Sequence, residues 1–125
     1  MKKTILTKNA PQPIGPYSQA VSTGNLLFIS GQIPLKADAT LAGADIESQT
    51  RQSLENIKAI LAEAGLTLDN VVKTTVLMKD LGEFGRMNAV YGEYFTSNPP
   101  ARAAYQVVKL PLDVLVEIEA VAVID

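Results

Sequence analysis

Cysteine and histidine are both absent from this 125-residue chain. Without cysteine there is no disulfide, no thiolate nucleophile and no cysteine-built metal site. Without histidine the chain lacks the commonest general base and the commonest metal ligand. Any catalysis therefore falls to Asp, Glu, Lys, Tyr, Ser, Arg and backbone amides. No apolar run approaches the ~20 residues that a membrane-spanning helix needs. Met1 to Lys8 carries basic residues with no apolar h-region behind them, so no signal peptide is expected and the cytosol is the default address. A basic excess is missing too: the net charge is −2, with Lys and Arg scattered singly. A phosphate-tracking surface shows the opposite pattern, so nucleic acid is not expected as a partner.

What is present suits one domain of ordinary size. Lys3 to Thr7 reads as a short edge strand. Pro11, Pro13, Gly15 and Pro16 make Ala10 to Gln19 an ordered loop. Ala20 to Ser22 and Leu26 to Gln32 flank Thr23-Gly24-Asn25 as a hairpin. Pro34 to Ala44 reads as a surface loop. Asp45 caps a helix through Ala64, with Leu54, Ile57, Leu61 and Ala64 at helical spacing and Gly65 at the position that ends helices. Val71 to Met78 is a β-branched strand. Asp80 and Glu83 form a capping-box pattern for a second helix. Its apolar face is Phe84, Met87, Tyr91 and either Tyr94 or Phe95, and Asn98-Pro99-Pro100 ends it. Arg102 to Val108 and Val114 to Ile124 are the last strands, joined through Lys109 to Asp113. The order β-β-β-α-β-α-β-β predicts an α+β domain with one mixed sheet. Right-handed crossovers would place both helices on one face of it.

That leaves the other sheet face bare, yet the last strand is apolar on both sides. Val114, Val116, Ile118, Ala120, Ala122 and Ile124 line one side, and Leu115, Val121 and Val123 line the other. A half-solvated strand alternates apolar with polar, so the second side asks for cover, and association between subunits is the simplest source. Glu117 and Glu119 share that second side. They read either as charges reaching solvent at a sheet edge or as carboxylates in a cleft that orient water or accept a proton. The pattern does not choose between the two glutamates.

Other candidates carry weaker signals. Arg102 follows a rigid Pro-Pro lead-in, and its planar fork suits a carboxylate, although a lone Arg at a strand start commonly makes a surface ion pair. Tyr17 is a ligand contact or a packed aromatic under its loop. Gly31, after Ser30, permits close approach by a ligand or by another chain segment. Lys73 reads as a snorkelling or paired lysine, and Asn88 as a structural hydrogen bonder. No phosphate loop, dinucleotide fingerprint, metal-ligand cluster or catalytic triad is present.

Several stretches taken in order resemble the RidA/YjgF family of reactive-intermediate deaminases. They are Ala10-Pro11 with Ile14-Gly15-Pro16-Tyr17-Ser18-Gln19, Ser30-Gly31-Gln32-Ile33-Pro34, Pro100-Ala101-Arg102, and Val116-Glu117-Ile118-Glu119-Ala120. Arg51-Gln52-Ser53-Leu54-Glu55-Asn56 and Val72-Lys73-Thr74-Thr75-Val76 match as well. The resemblance spans residues 1–125 as one domain. It implies a chorismate-mutase-like fold and a homotrimer with ligand clefts between subunits. It also implies hydrolysis of 2-imino acids and their enamine tautomers, such as 2-aminoacrylate and 2-aminocrotonate, to 2-keto acids and ammonia. Arg102 then matches the family's carboxylate-binding arginine, and Glu117 the acidic residue that positions water. Tyr17, Ser30 and the Gly31 backbone match cleft contacts. Ala104 stands where many members have cysteine, at a contact made by the backbone N–H, and Tyr105-Gln106 departs from the commoner pattern. Neither metal nor cofactor is implied. The competing expectations are a non-catalytic keto-acid sensor on the same fold and, further off, a ribonuclease or translation inhibitor.

Overall fold

The computed structural model describes residues 1–125. Its strands are β1 (Lys3–Ile5), β2 (Ala20–Thr23), β3 (Leu26–Gln32), β4 (Val71–Met78), β5 (Ala101–Gln106) and β6 (Val116–Val123), and its helices are α1 (Ile46–Glu63) and α2 (Phe84–Tyr94). They follow the expected order and build one six-stranded mixed sheet, β1-β2-β3-β6-β4-β5. Only β4 and β5 pair in parallel, across the α2 crossover. The final strand lies in the middle of the sheet, between β3 and β4.

The α1 ends match their sequence signals. Asp45 Oδ2 accepts from Ser48 N at 2.9 Å. At the other end Leu66 N donates to Leu61 O and Gly65 N to Ala62 O, with Gly65 at φ +76°. That double bond pattern caps carbonyls left open by the last turn. The expected box at Asp80 forms only in part. Asp80 accepts from Gly82 N at 2.8 Å, opening a short 3-10 turn, Leu81–Glu83, ahead of α2. Glu83 turns instead to Arg86, at 3.2 Å.

Several strands end differently from expectation: β5 runs from Ala101 to Gln106 rather than from Arg102 to Val108, and at β1 and β6 a side chain takes a backbone group. β1 stops at Ile5 because Thr7 N is claimed by Gln19 Oε1 at 2.7 Å. β6 starts at Val116 because Leu115 N goes to Gln49 Oε1 at 2.8 Å, and Val114 N closes a turn on Pro111 O. In the hairpin Thr23 pairs with Leu26, leaving Gly24-Asn25 as a two-residue turn.

One core lies between the sheet and the two helices. Val116, Ile118, Ala120 and Ala122 of β6 meet Leu54, Ile57, Ile60 and Leu61 of α1 and Met87 and Tyr91 of α2. Of the alternatives for α2, Phe95 is the buried one, its ring 4.7 Å from Tyr91. Tyr94 stays half-buried and donates to Glu55 at 2.6 Å. No helix of this chain covers the other face of the sheet. Val21, Phe28 and Val121 form an apolar row across it by register, and Phe28 is 45% exposed.

Candidate active site

The open face gathers most of the expected site residues around an irregularity in β3. Ile29 pairs with Ala120 and Gln32 with Ile118, so β3 carries one residue more than β6 there. Such a bulge re-aims side chains and recurs beside functional sites. Here it falls at Ser30-Gly31. Ser30 Oγ donates to Ser18 O at 2.6 Å, and Ser30 N to Gln19 O at 2.9 Å. These bonds tie the Pro-rich loop to the bulge. Gln19, buried under that loop, also donates to Thr7 O at 3.1 Å and Pro11 O at 3.0 Å. Tyr17 is thereby held over the open face, its hydroxyl accepting from Ile14 N at 3.4 Å.

Beyond the loop is a depression of about 410 Å³. Tyr17, Ser30, Phe28, Lys73, Thr75 and Glu119 contribute to its walls. On the far side of Tyr17 a crevice of about 30 Å³ reaches Gly31. The two glutamates that the pattern left equivalent have different surroundings. Glu119 is exposed at the wall of the depression. Glu117 is half-buried and pressed against Gly31 so closely that any Cβ there would overlap its carboxylate. Burial, and then the Glu119 charge, push the Glu117 pKa above the ordinary glutamate range. Within its chain Glu117 has no hydrogen-bond or ion-pair partner.

Arg102 and Ala104 are not part of this group. Arg102 pairs in register with Thr74, which is buried toward α2. Its guanidinium lies against α2, with Nη1 donating to Asn88 Oδ1 at 2.7 Å. The Tyr91 and Phe84 ring centroids are 4.8 and 5.2 Å from it. Ala104, two residues on, also packs toward the core. Glu117 projects from the opposite face, since its neighbours Val116 and Ile118 are the ones buried beneath the helices. One chain therefore does not bring Arg102 and Glu117 together.

Nor does Arg102 make the surface ion pair open to it. Arg51 bonds Glu93 and Arg86 bonds Glu47, both through two nitrogens, while Arg102 has no carboxylate partner in its chain. Sequence reading missed Phe84 and Tyr91 as neighbours of Arg102, and it took Asn88 for a structural hydrogen bonder without identifying Arg102 as the partner. The signal was available, because residues 84, 88 and 91 share one helix face. No group of three or more acidic side chains is close enough to hold a metal, and no helix is long and apolar enough to cross a membrane.

The family model described as Endoribonuclease L-PSP matches residues 7–124. The chain is a member of the RidA/YjgF family. A RutC family protein from Pyrococcus horikoshii is 57% identical, with 98% of each chain covered. The 2-iminobutanoate/2-iminopropanoate deaminase of Escherichia coli K12 is 50% identical, again over 98% of each. Among solved structures, the YjgF gene product of E. coli superposes with a TM-score of 0.91 at 50% identity, covering 97% of this chain and 98% of that one. E. coli TdcF with bound serine gives 0.94 at 44%, covering 98% and 99%. The RidA/YjgF fold of these relatives is thus the fold of this chain from end to end.

Proposed function

We propose that this protein hydrolyses small 2-imino acids and their enamine tautomers to 2-keto acids and ammonia, in clefts built between subunits of a homotrimer. The observation that carries the reading is Glu117: a half-buried carboxylate of raised pKa, unpartnered and held against Gly31. A general base is favoured by a pKa raised toward the operating pH. The half-identical E. coli relative named as a deaminase supports the substrate class. TdcF with bound serine supports a site that accepts a small amino acid.

The chemistry needs little machinery. The protonated imine carbon is already electrophilic. Arg102 grips the substrate carboxylate through two N–H groups. Glu117 accepts a proton from water as the water oxygen bonds to the imine carbon and the C=N π pair moves to nitrogen. The carbinolamine then gains a proton on nitrogen, its C–N bond breaks, and ammonia leaves as the hydroxyl loses its proton to become the keto oxygen. The Gly31 and Ala104 amides and Ser30 position the ligand, and Tyr17 closes the cleft. Much of the rate gain comes from holding water and imine in a reactive geometry. Without histidine, the chain lacks the usual acid–base pair for RNA cleavage.

Arg102 and Glu117 project from opposite faces of one sheet, so a site using both draws them from two chains. The apolar row Val21, Phe28 and Val121 gives the open face a reason to associate. A subunit-mixing experiment tests composition and activity together. Arg102→Lys and Glu117→Gln homotrimers are each expected to be nearly inactive on imine generated in situ by a threonine or serine dehydratase. After dissociation and reassembly of an equal mixture, about a quarter of interfacial sites regain both native groups, and activity returns to that extent. A mixture that regains nothing would refute a site shared between chains, whereas an unmutated protein that binds 2-ketobutyrate yet never exceeds the protein-free background would favour a sensor.

A further inference from the structure

The α2 side chains around Arg102 form an arrangement that the carboxylate-clamp reading does not by itself explain. We infer that Asn88 and Tyr91 are positioning residues that aim the Arg102 fork at the substrate carboxylate. This rests on the assignment of Arg102 as the clamp. The chemical nature of the partners is the first argument. A guanidinium has only donors, so the Asn88 carbonyl is the group that faces it. That carbonyl is neutral: it pins one end of the fork at 2.7 Å without cancelling the charge. Arg51 and Arg86 are held by glutamates, which orient them equally well but neutralise them. Asn88 leaves the cation available to an anionic ligand.

The aromatic rings supply the second constraint. Tyr91 and Phe84 present π faces that attract the cation and compete for none of its N–H groups. Tyr91 is itself fixed, because its hydroxyl is 2.7 Å from Thr74 Oγ1 in the core and its ring packs against Phe95 at a 40° tilt. Thr74 is also the register partner of Arg102 across the β4–β5 pair. The fork is therefore referenced to the sheet twice, through its own strand and through Thr74 and Tyr91. A long, exposed side chain would otherwise sample many rotamers, and fixing it beforehand lowers the cost of binding.

The test uses the intact oligomer and 2-ketobutyrate as the probe, with binding followed by calorimetry and turnover by keto-acid release. Asn88→Ala should weaken 2-ketobutyrate binding about tenfold and raise KM similarly, with kcat falling far less, as expected when ground state and transition state lose the same contact. Tyr91→Leu should act in the same direction. In an Arg102→Lys background the Asn88→Ala effect should shrink to about twofold or less, because the two residues act as one unit. Unchanged binding and KM in Asn88→Ala would overturn the inference. So would a full-sized effect in the Arg102→Lys background, or a loss of activity that tracks loss of the oligomer or of thermal stability. If Arg102→Lys itself binds 2-ketobutyrate like the wild type, the clamp assignment has failed, a different result from failure of Asn88 alone.

Discussion

Gly31→Ala tests the geometry of the water site with a single added methyl group. Its φ lies outside the left-handed region, so alanine costs no backbone strain and the whole effect is steric. An ideal Cβ would stand 2.9 Å from Glu117 Cδ and 3.1 Å from Cγ. Ordinary carbon contacts begin near 3.5 Å, and the Glu117 Oε2 lies nearer the added carbon than either of these atoms, so the carboxylate must retreat by roughly 1 Å. The obstacle is the end of a flexible side chain, which puts the stability cost at the low end for overpacking, about 1 kcal/mol. A displacement of that size from reactive geometry lowers turnover about 100-fold. The measurement is imine hydrolysis with substrate generated in situ, the spontaneous reaction subtracted, beside thermal melting and light scattering of the same sample. A Gly31→Ala variant that folds, assembles and turns over at the wild-type rate would refute the placement of water by Glu117.

Three further outcomes are expected. Arg102→Lys keeps the charge but not the two-pronged contact, and should lose about 100-fold in kcat/KM, read from steady-state kinetics. Glu117→Gln should abolish turnover while 2-ketobutyrate binding survives, and Glu119→Gln should keep most of the rate; the reverse ranking would mean that Glu119 serves the water. Burial first, and then Glu119, raise the Glu117 pKa, so its ionised form is lost as pH falls. The acidic limb of the rate profile should therefore turn over above the ordinary glutamate range, whereas a limb below it would indicate a cation beside Glu117 in the assembly. Gln19→Leu strips the hydrogen bonds to Thr7 and Pro11 under the Tyr17 loop. It should cost about 2–3 kcal/mol in chemical denaturation and raise KM as the loop loosens.

Element order was readable because it rests on short-range signals. The periodicity of α1, the Asp45 cap, Gly65 and the β-branched run of β4 each act over a few residues, and the structure keeps all of them. Element ends were misread where a distant side chain takes a backbone group, as Gln19 does at Thr7 and Gln49 at Leu115. Both bonds join residues more than ten apart in sequence, beyond the reach of a local pattern. The buried polar face of α1, with Gln49, Thr50, Ser53 and Asn56, was hidden for a related reason. Two of those side chains serve loops, Gln49 at Gly43 and Asn56 at Ile33 and Leu35.

By itself the sequence determined the kit and the class. With neither cysteine nor histidine, it limits chemistry to carboxylate, guanidinium, hydroxyl and amide groups, and alternation along β6 put both glutamates on the side away from the buried stripe. Tertiary structure decided what separates those two groups: a bulge at Ser30-Gly31 brings one backbone against Glu117 and leaves Glu119 in the open. It also decided that Arg102 faces α2, on the side of the sheet away from Glu117. Strand alternation fixes side-chain faces only relative to neighbours in the same strand. Which face of β5 matches which face of β6 depends on register through β4, a property of the folded sheet.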